Sequence, residues 1–219
     1  MPYVIDDQES LEAGLPAGRP ADAFAHPPSH VAAIGVEPGM IVADFGAGGG
    51  AHVFPLAEAV GAMGRVYAID VQRDLLTRIK NEANRRKHHH VDVLWGDLET
   101  PQGSKLADDA ADMVLISNLL FQLEDKRAAL LEARRILKQS GKLAIIDWGT
   151  PSSRLSDESN VLRAGISPAG PHRHYTVSQD EVLHLALRSG FEPIGEFDAG
   201  THHYGVLFRL INDVIPSAS

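Results

Sequence analysis

Asp44 is followed by Gly46, Gly48, Gly49 and Gly50 in the stretch DFGAGGG. Glycines this dense let backbone approach a ligand and leave N–H groups available at the start of a following helix. Asp70 follows at the end of RVYAID, 20 residues past Gly50. A carboxylate there can accept hydrogen bonds from both hydroxyls of a ribose. Asp97 ends VDVLWGD, where it can reach the amino group of a base. Asp44 adds a charge beside the loop, repelling a pyrophosphate but attracting a sulfonium or an amino group. The same loop, read as Gly46-x-Gly48-x-x-Ala51, also satisfies the dinucleotide fingerprint, so a small NAD(P)-dependent reductase stands as an alternative.

Such a loop works only if strands and helices hold it. Short apolar runs occur at 40–45, 65–70, 91–97, 112–117 and 142–148, several of them closed by an acid. Between them lie helical stripes: Val53, Phe54, Leu56, Ala57 and Val60; Leu75, Leu76, Ile79 and Ala83; Ala129, Leu130, Ala133, Ile136 and Leu137. Strand alternating with helix predicts a doubly wound α/β fold with a parallel sheet. Ser178 and Glu181 form a capping box for a helix through Arg188. The runs 191–197 and 202–211 are joined by a turn too short for anything but an antiparallel hairpin. Residues 1–30 carry scattered Pro and Gly without periodicity and read as a segment draped on the domain.

Composition removes other chemistries. Cysteine is absent, which excludes a disulfide framework, a thiolate zinc site, an iron–sulfur cluster and a cysteine nucleophile. The net charge of −9 argues against nucleic-acid or anionic-membrane partners. The basic stretches Arg85-Arg86-Lys87 and Arg134-Arg135 read as solvated helix faces, and His88-His89-His90 as surface. An acidic start without a signal-peptide pattern, and no long apolar run, point to a cytoplasmic chain without a membrane span.

With these residues in view, positions 31–148 resemble a class I S-adenosylmethionine-dependent methyltransferase, and the tail to about 211 fits the same pattern. DFGAGGG matches that family's acid-x-Gly-x-Gly-x-Gly motif, RVYAIDVQRDLL its second motif and WGDLE its third. LLEARRILKQSGKLAIIDW matches its helix-turn-strand after the fourth. The likeness is strongest to small-molecule members of the ubiquinone/menaquinone C-methyltransferase type. It implies a Rossmann-like seven-stranded sheet of order 3-2-1-4-5-7-6 with strand 7 antiparallel, and S-adenosyl-L-methionine as cofactor. It divides the chain into a capping segment 1–30, a methyltransferase domain 31–212 and a tail 213–219. By position, Gly46, Gly48 and Gly50 would line the methionine part, with Asp44 beside them. Asp70 would hold the ribose, Val71 would pack on the adenine, and Asp97 with Leu98 would hold its edge. Ser117 and Asn118 would face the methyl group. The partner would be a small methyl acceptor attacking through carbon, oxygen or nitrogen. A cofactor-binding sensor or scaffold without turnover is a further alternative, because the glycine loop reports binding alone.

Two departures narrow the acceptor. Ser117-Asn118-Leu119-Leu120 is not the Asn/Asp-Pro-Pro-aromatic motif of enzymes that methylate adenine or glutamine amides. Arsenite methyltransferases need thiolates, which this chain lacks. Of the 11 histidines, His26, His30, His172, His174, His202 and His203 fall at the mouth in such a fold, with Tyr175, Asp147 and Trp148 nearby. His172, His174, Tyr175 and Asp147 are the candidates on the acceptor side. Three readings stay open for the histidines: a general base, a metal-binding set with Asp147, or plain polar lining. Side chains alternate along a strand, so His202 and His203 cannot both face inward.

Overall fold

The computed structural model describes residues 26–149 and 176–211. The apolar runs form seven strands: β1 (Ile41–Phe45), β2 (Arg65–Asp70), β3 (Val91–Trp95), β4 (Ala111–Ser117), β5 (Leu137–Trp148), β6 (Phe191–Phe197) and β7 (His203–Leu210). Helices among the described residues are α1 (Pro27–Ala33), α2 (Val53–Val60), α3 (Arg73–Arg86), α4 (Lys126–Ile136) and α5 (Gln179–Arg188), with a single 3-10 turn at Leu120–Gln122. The sheet order is β3-β2-β1-β4-β5-β7-β6. Neighbours from β3 to β5 pair in parallel, while β7 runs antiparallel to both β5 and β6.

The central strands are buried on both faces, which is why they read as unbroken apolar runs. One face packs Val114, Ile116, Leu143, Ile145 and Phe208 under α4 and α5. The other packs Val42, Val66, Leu115, Ala144 and Ile146 under α1, α2 and α3. Several loops that follow parallel strands are therefore held at one edge of the sheet, the edge where doubly wound folds bind ligands. No helix among the described residues is long and apolar enough to cross a membrane.

Two boundaries and one burial differ from the sequence reading. Helix α1 begins at Pro27, inside the segment expected to drape; Pro at the first helical positions loses no needed N–H, and Val31 and Ile34 are buried. Strand β5 starts at Leu137 because that residue is extended and pairs with Ala111, before polar Lys138-Gln139-Ser140 hides the pattern. His88 and His90 are half-buried rather than plain surface, and the His90 ring nitrogen lies 2.9 Å from the Ala57 carbonyl.

Candidate cofactor and acceptor site

The glycine loop leaves β1 and crosses toward β2, where the N–H groups of Gly46 and Ala47 both donate to the Ile69 carbonyl (2.9 and 3.1 Å). Two glycines are required by shape. Gly46 has φ +72°, and a Cβ there would lie 2.8 Å from Leu119 Cδ1; Gly50 has φ +82°, with Ile79 Cγ1 at 3.0 Å. Gly46 thus brings the first loop against the segment after β4, and Gly50 seats it on α3. Above Gly49 nothing lies within 4 Å of the Cβ position, and above Gly48 only the Gly46 carbonyl does, at 3.9 Å. That space is the cradle a ligand can enter.

Asp70 closes the cradle. Its Oδ2 accepts from the Gly48 N–H and its Oδ1 from the Gln72 N–H, both at 2.8 Å. A carboxylate offers about four lone-pair positions, so each oxygen keeps capacity for a hydroxyl. Asp44, on β1, is buried. Burial, with the Asp70 charge nearby, pushes its carboxyl up to about 8. A cation seated beside it would reverse that, because an opposite charge favours the ionised form.

The remaining cofactor candidates lie at the ends of β2, β3 and β4. Val71 is 53% exposed, and its carbonyl accepts from Trp95 Nε1 (2.9 Å). Leu98 is buried, and Asp97 is half-buried with Oδ1 accepting from the Glu99 N–H (3.0 Å). At the end of β4, Asn118 adopts φ +53°, its N–H donating to the Ile146 carbonyl (2.8 Å). Ser117 Oγ and Asn118 Oδ1 are buried with no hydrogen-bond partner among the described residues. Unpaired polar atoms at such a place are ready for a ligand. The cradle, the carboxylate pair and these two atoms together fit the adenosyl, ribose and methionine parts of S-adenosylmethionine.

On the acceptor side the picture changes. His172, His174 and Tyr175 lie outside the described residues. Asp147 is fully buried, and its oxygens accept from the Leu120 N–H (3.1 Å) and the Trp148 N–H (2.8 Å). Burial pushes its carboxyl up to about 7 against the pull of those N–H groups. Asp147 therefore holds the turn after β4 through these backbone hydrogen bonds. His26 is exposed and His202 half-buried, whereas His30 and His203 are buried together with His52. Strand β7 begins at His203 rather than at 202, so His202 lies in the preceding turn and the two histidines differ in burial without strand alternation being the cause. The sequence reading missed His52; its signal was a histidine at the mouth of α2, directly after the glycine loop. Among the described residues no group of three His, Asp or Glu is arranged to hold a metal ion.

A family model described as a methyltransferase domain matches residues 36–186. An arsenite methyltransferase of Aquipseudomonas alcaligenes is 33% identical over 158 residues, covering 70% of this chain and 44% of that protein. The aklanonic acid methyltransferase DauC of Streptomyces sp. (strain C5) is 32% identical over 133 residues, covering 61% and 54%. The chain thus spans about half the length of these curated relatives. The crystal structure of a SAM-dependent methyltransferase from Aquifex aeolicus superposes with a TM-score of 0.71 at 25% identity, over 84% of this chain and 89% of that one.

Proposed function

The chain belongs to the methyltransferase-domain family of class I, S-adenosylmethionine-dependent methyltransferases, and from that premise we propose that it methylates a carbon, oxygen or nitrogen of a small organic acceptor. The observation that carries the reading is the convergence of Asp44, the Gly46–Gly50 cradle and Asp70 at one edge of the sheet. The family assignment displaces the dinucleotide reductase.

Bound S-adenosylmethionine would supply a methyl group already activated by its sulfonium. The chain's own residues then have three tasks. Asp70 accepts from the ribose hydroxyls, while Val71 and Leu98 pack on the base and Asp97 takes its amino group. Asp44 sets a carboxylate near the cationic end. Ser117 and Asn118, with their unpaired oxygens, orient the reacting centre, so that rate comes mainly from alignment. His172, His174 and Tyr175 are the proposed acceptor-side groups, one of them taking the proton where the acceptor carries one.

Several features bear on the acceptor. These 219 residues hold no cysteine, which speaks against the thiolate chemistry of arsenite methylation despite the similarity. The charge of −9 speaks against nucleic acid, and a cysteine-free composition suits the cytoplasm. Calorimetry with S-adenosylhomocysteine and, separately, NAD(P), then methyl transfer from labelled cofactor to a metabolite extract, tests the reading. Binding of S-adenosylhomocysteine with labelled product is expected; binding of NAD(P) alone refutes it, and binding without any turnover favours the sensor.

A further inference from the structure

His30 on α1, His52 at the entrance to α2 and His203 at the start of β7 come from three separate parts of the chain, yet all are buried. The His30 and His52 rings stack with centroids 5.4 Å apart, and His30 Nδ1 lies 3.1 Å from His52 Nε2. The His203 ring packs against Trp148 at a tilt of 40°, centroids 4.2 Å apart, and its Nε2 is buried without a partner among the described residues. We propose that His30 and His52 are positioning residues of the cofactor site, their stacked and hydrogen-bonded rings forming an imidazole clasp that ties α1 to the first turn after the glycine loop, with His203 buried nearby on β7. The proposal rests on the methyltransferase reading for its link to the cofactor.

The geometry excludes charging both rings at once. Two ring nitrogens 3.1 Å apart can share one proton, with one donating and the other accepting. The Ala199 backbone also hydrogen-bonds the His30 ring. Protonating both rings sets N–H against N–H at the contact. The surroundings oppose that charge. Burial first, then the neighbouring imidazoles, holds His52 and His203 down to about 4. Burial lowers His30 as well, with His26 adding to the effect and the Ala199 carbonyl and Asp198 opposing it. The imidazoles whose charge bears on His52 are His30 and His203, and those that bear on His203 are His30 and His202. Asp198 is the one carboxylate that these interactions bring to the clasp among the described residues.

The mechanical consequence follows from where His52 sits. It is the N-cap of α2, and its carbonyl accepts from the Leu56 N–H (2.9 Å). Only Ala51 separates it from Gly50. Fixing the His52 ring from α1 fixes the first turn of α2 and hence the end of the cradle. The 6.5 of a free imidazole is restored once α1 lifts away, so acid favours the released form.

Hydrogen exchange of the full chain between pH 7.5 and 5.5, corrected for intrinsic rates, reads the clasp directly. The Ile34 amide, which donates to the His30 carbonyl, is expected to lose protection roughly tenfold as His52 is freed, while β4 amides hold theirs. His52→Gln keeps a neutral hydrogen-bonding side chain and is expected to flatten that slope; His30→Gln serves where it folds poorly. Ile34 and β4 losing protection together, or wild type and variant showing the same slope, overturns the clasp. In parallel, S-adenosylhomocysteine affinity should fall more steeply with acid in the wild type than in His52→Gln, Asp44 and Asp147 being common to both. Equal slopes overturn the link to the cofactor site. A chain that binds no S-adenosylhomocysteine at pH 7.5 refutes the proposed function, while the exchange result still decides the clasp.

Discussion

The two sides of the mouth are built by opposite means. The cofactor side takes Asp44, four glycines and Asp70 from 27 consecutive residues, on adjacent strands and one loop. The other side gathers His30, His52, Asp147, Trp148 and His203 from across the chain, and only the sheet and α1 bring them together. The first side keeps carboxyl groups whose charge a ligand can use. The second keeps imidazoles uncharged. A local motif can carry charge because its ligand neutralises it, whereas a gathered cluster must satisfy itself.

The largest effect expected from breaking this contrast is at Asp70. Asp70→Ala removes the acceptors proposed for two ribose hydroxyls and frees the Gly48 and Gln72 N–H groups. Hydrogen bonds to charged groups are worth about 1.5–3 kcal/mol, so S-adenosylhomocysteine affinity should fall about a hundredfold in calorimetry. A loss below threefold would show that the ligand does not lie on this side.

Asp44 separates ligand binding from stability. Its carboxyl rests at about 8 in the folded chain against an ordinary 3.8. Between those values the folded form holds a proton that the unfolded form has released. Its contribution to stability is therefore present in acid and lost as pH rises through 8. Asp44→Asn stays neutral and should raise stability by about 1 kcal/mol at pH 8, with little change at pH 4, in thermal melts. The same change should weaken cation binding about tenfold, since the partner charge is gone. The histidines act in the reverse sense. Lowered below 6.5, they favour the folded chain above that value and withdraw support as pH falls toward 4. Titrating the melts of wild type and Asp44→Asn side by side should show the two regions limiting stability from opposite ends of the pH range.

The same contrast governs what could be read in advance. The alternation of strands and helices, the final antiparallel hairpin and the glycine loop were legible because each rests on neighbouring residues, whereas the strand order came with the family resemblance. His52 was not, since a lone histidine opening an otherwise apolar helix carries no local sign of a partner 22 residues upstream. Asp147 was placed at the right edge, but its sequence position could not tell that the N–H groups of Leu120 and Trp148 occupy both oxygens. Helix α1 was hidden by its two prolines, which break a helix elsewhere but open one here.

The finest test falls between the two regions, at Glu132 on α4. This buried carboxylate accepts from the Ser104 N–H (2.9 Å) and from the Arg135 guanidinium (2.7 and 2.9 Å), pinning the loop that carries Asp97 and Leu98. The loop has no slack: a Cβ on Gly103 would lie 1.7 Å from the Asp97 carbonyl oxygen. Burial works against the Glu132 charge, but the hydrogen bonds from Arg135 and Ser104 outweigh it and hold the carboxyl below its usual range. A lowered carboxyl stabilises the fold above its ordinary 4.5, and that support is lost as pH falls through the folded value. Glu132→Gln should therefore cost about 1–3 kcal/mol at pH 7, with the difference from wild type shrinking in acid. Loosening the loop from behind should cost S-adenosylhomocysteine about threefold in affinity. An analogue whose adenine amino group is replaced by oxygen should lose less, because Asp97 is no longer held in place to discriminate. Equal losses for both ligands would mean that Glu132 supports the fold alone and that the adenine edge is set elsewhere.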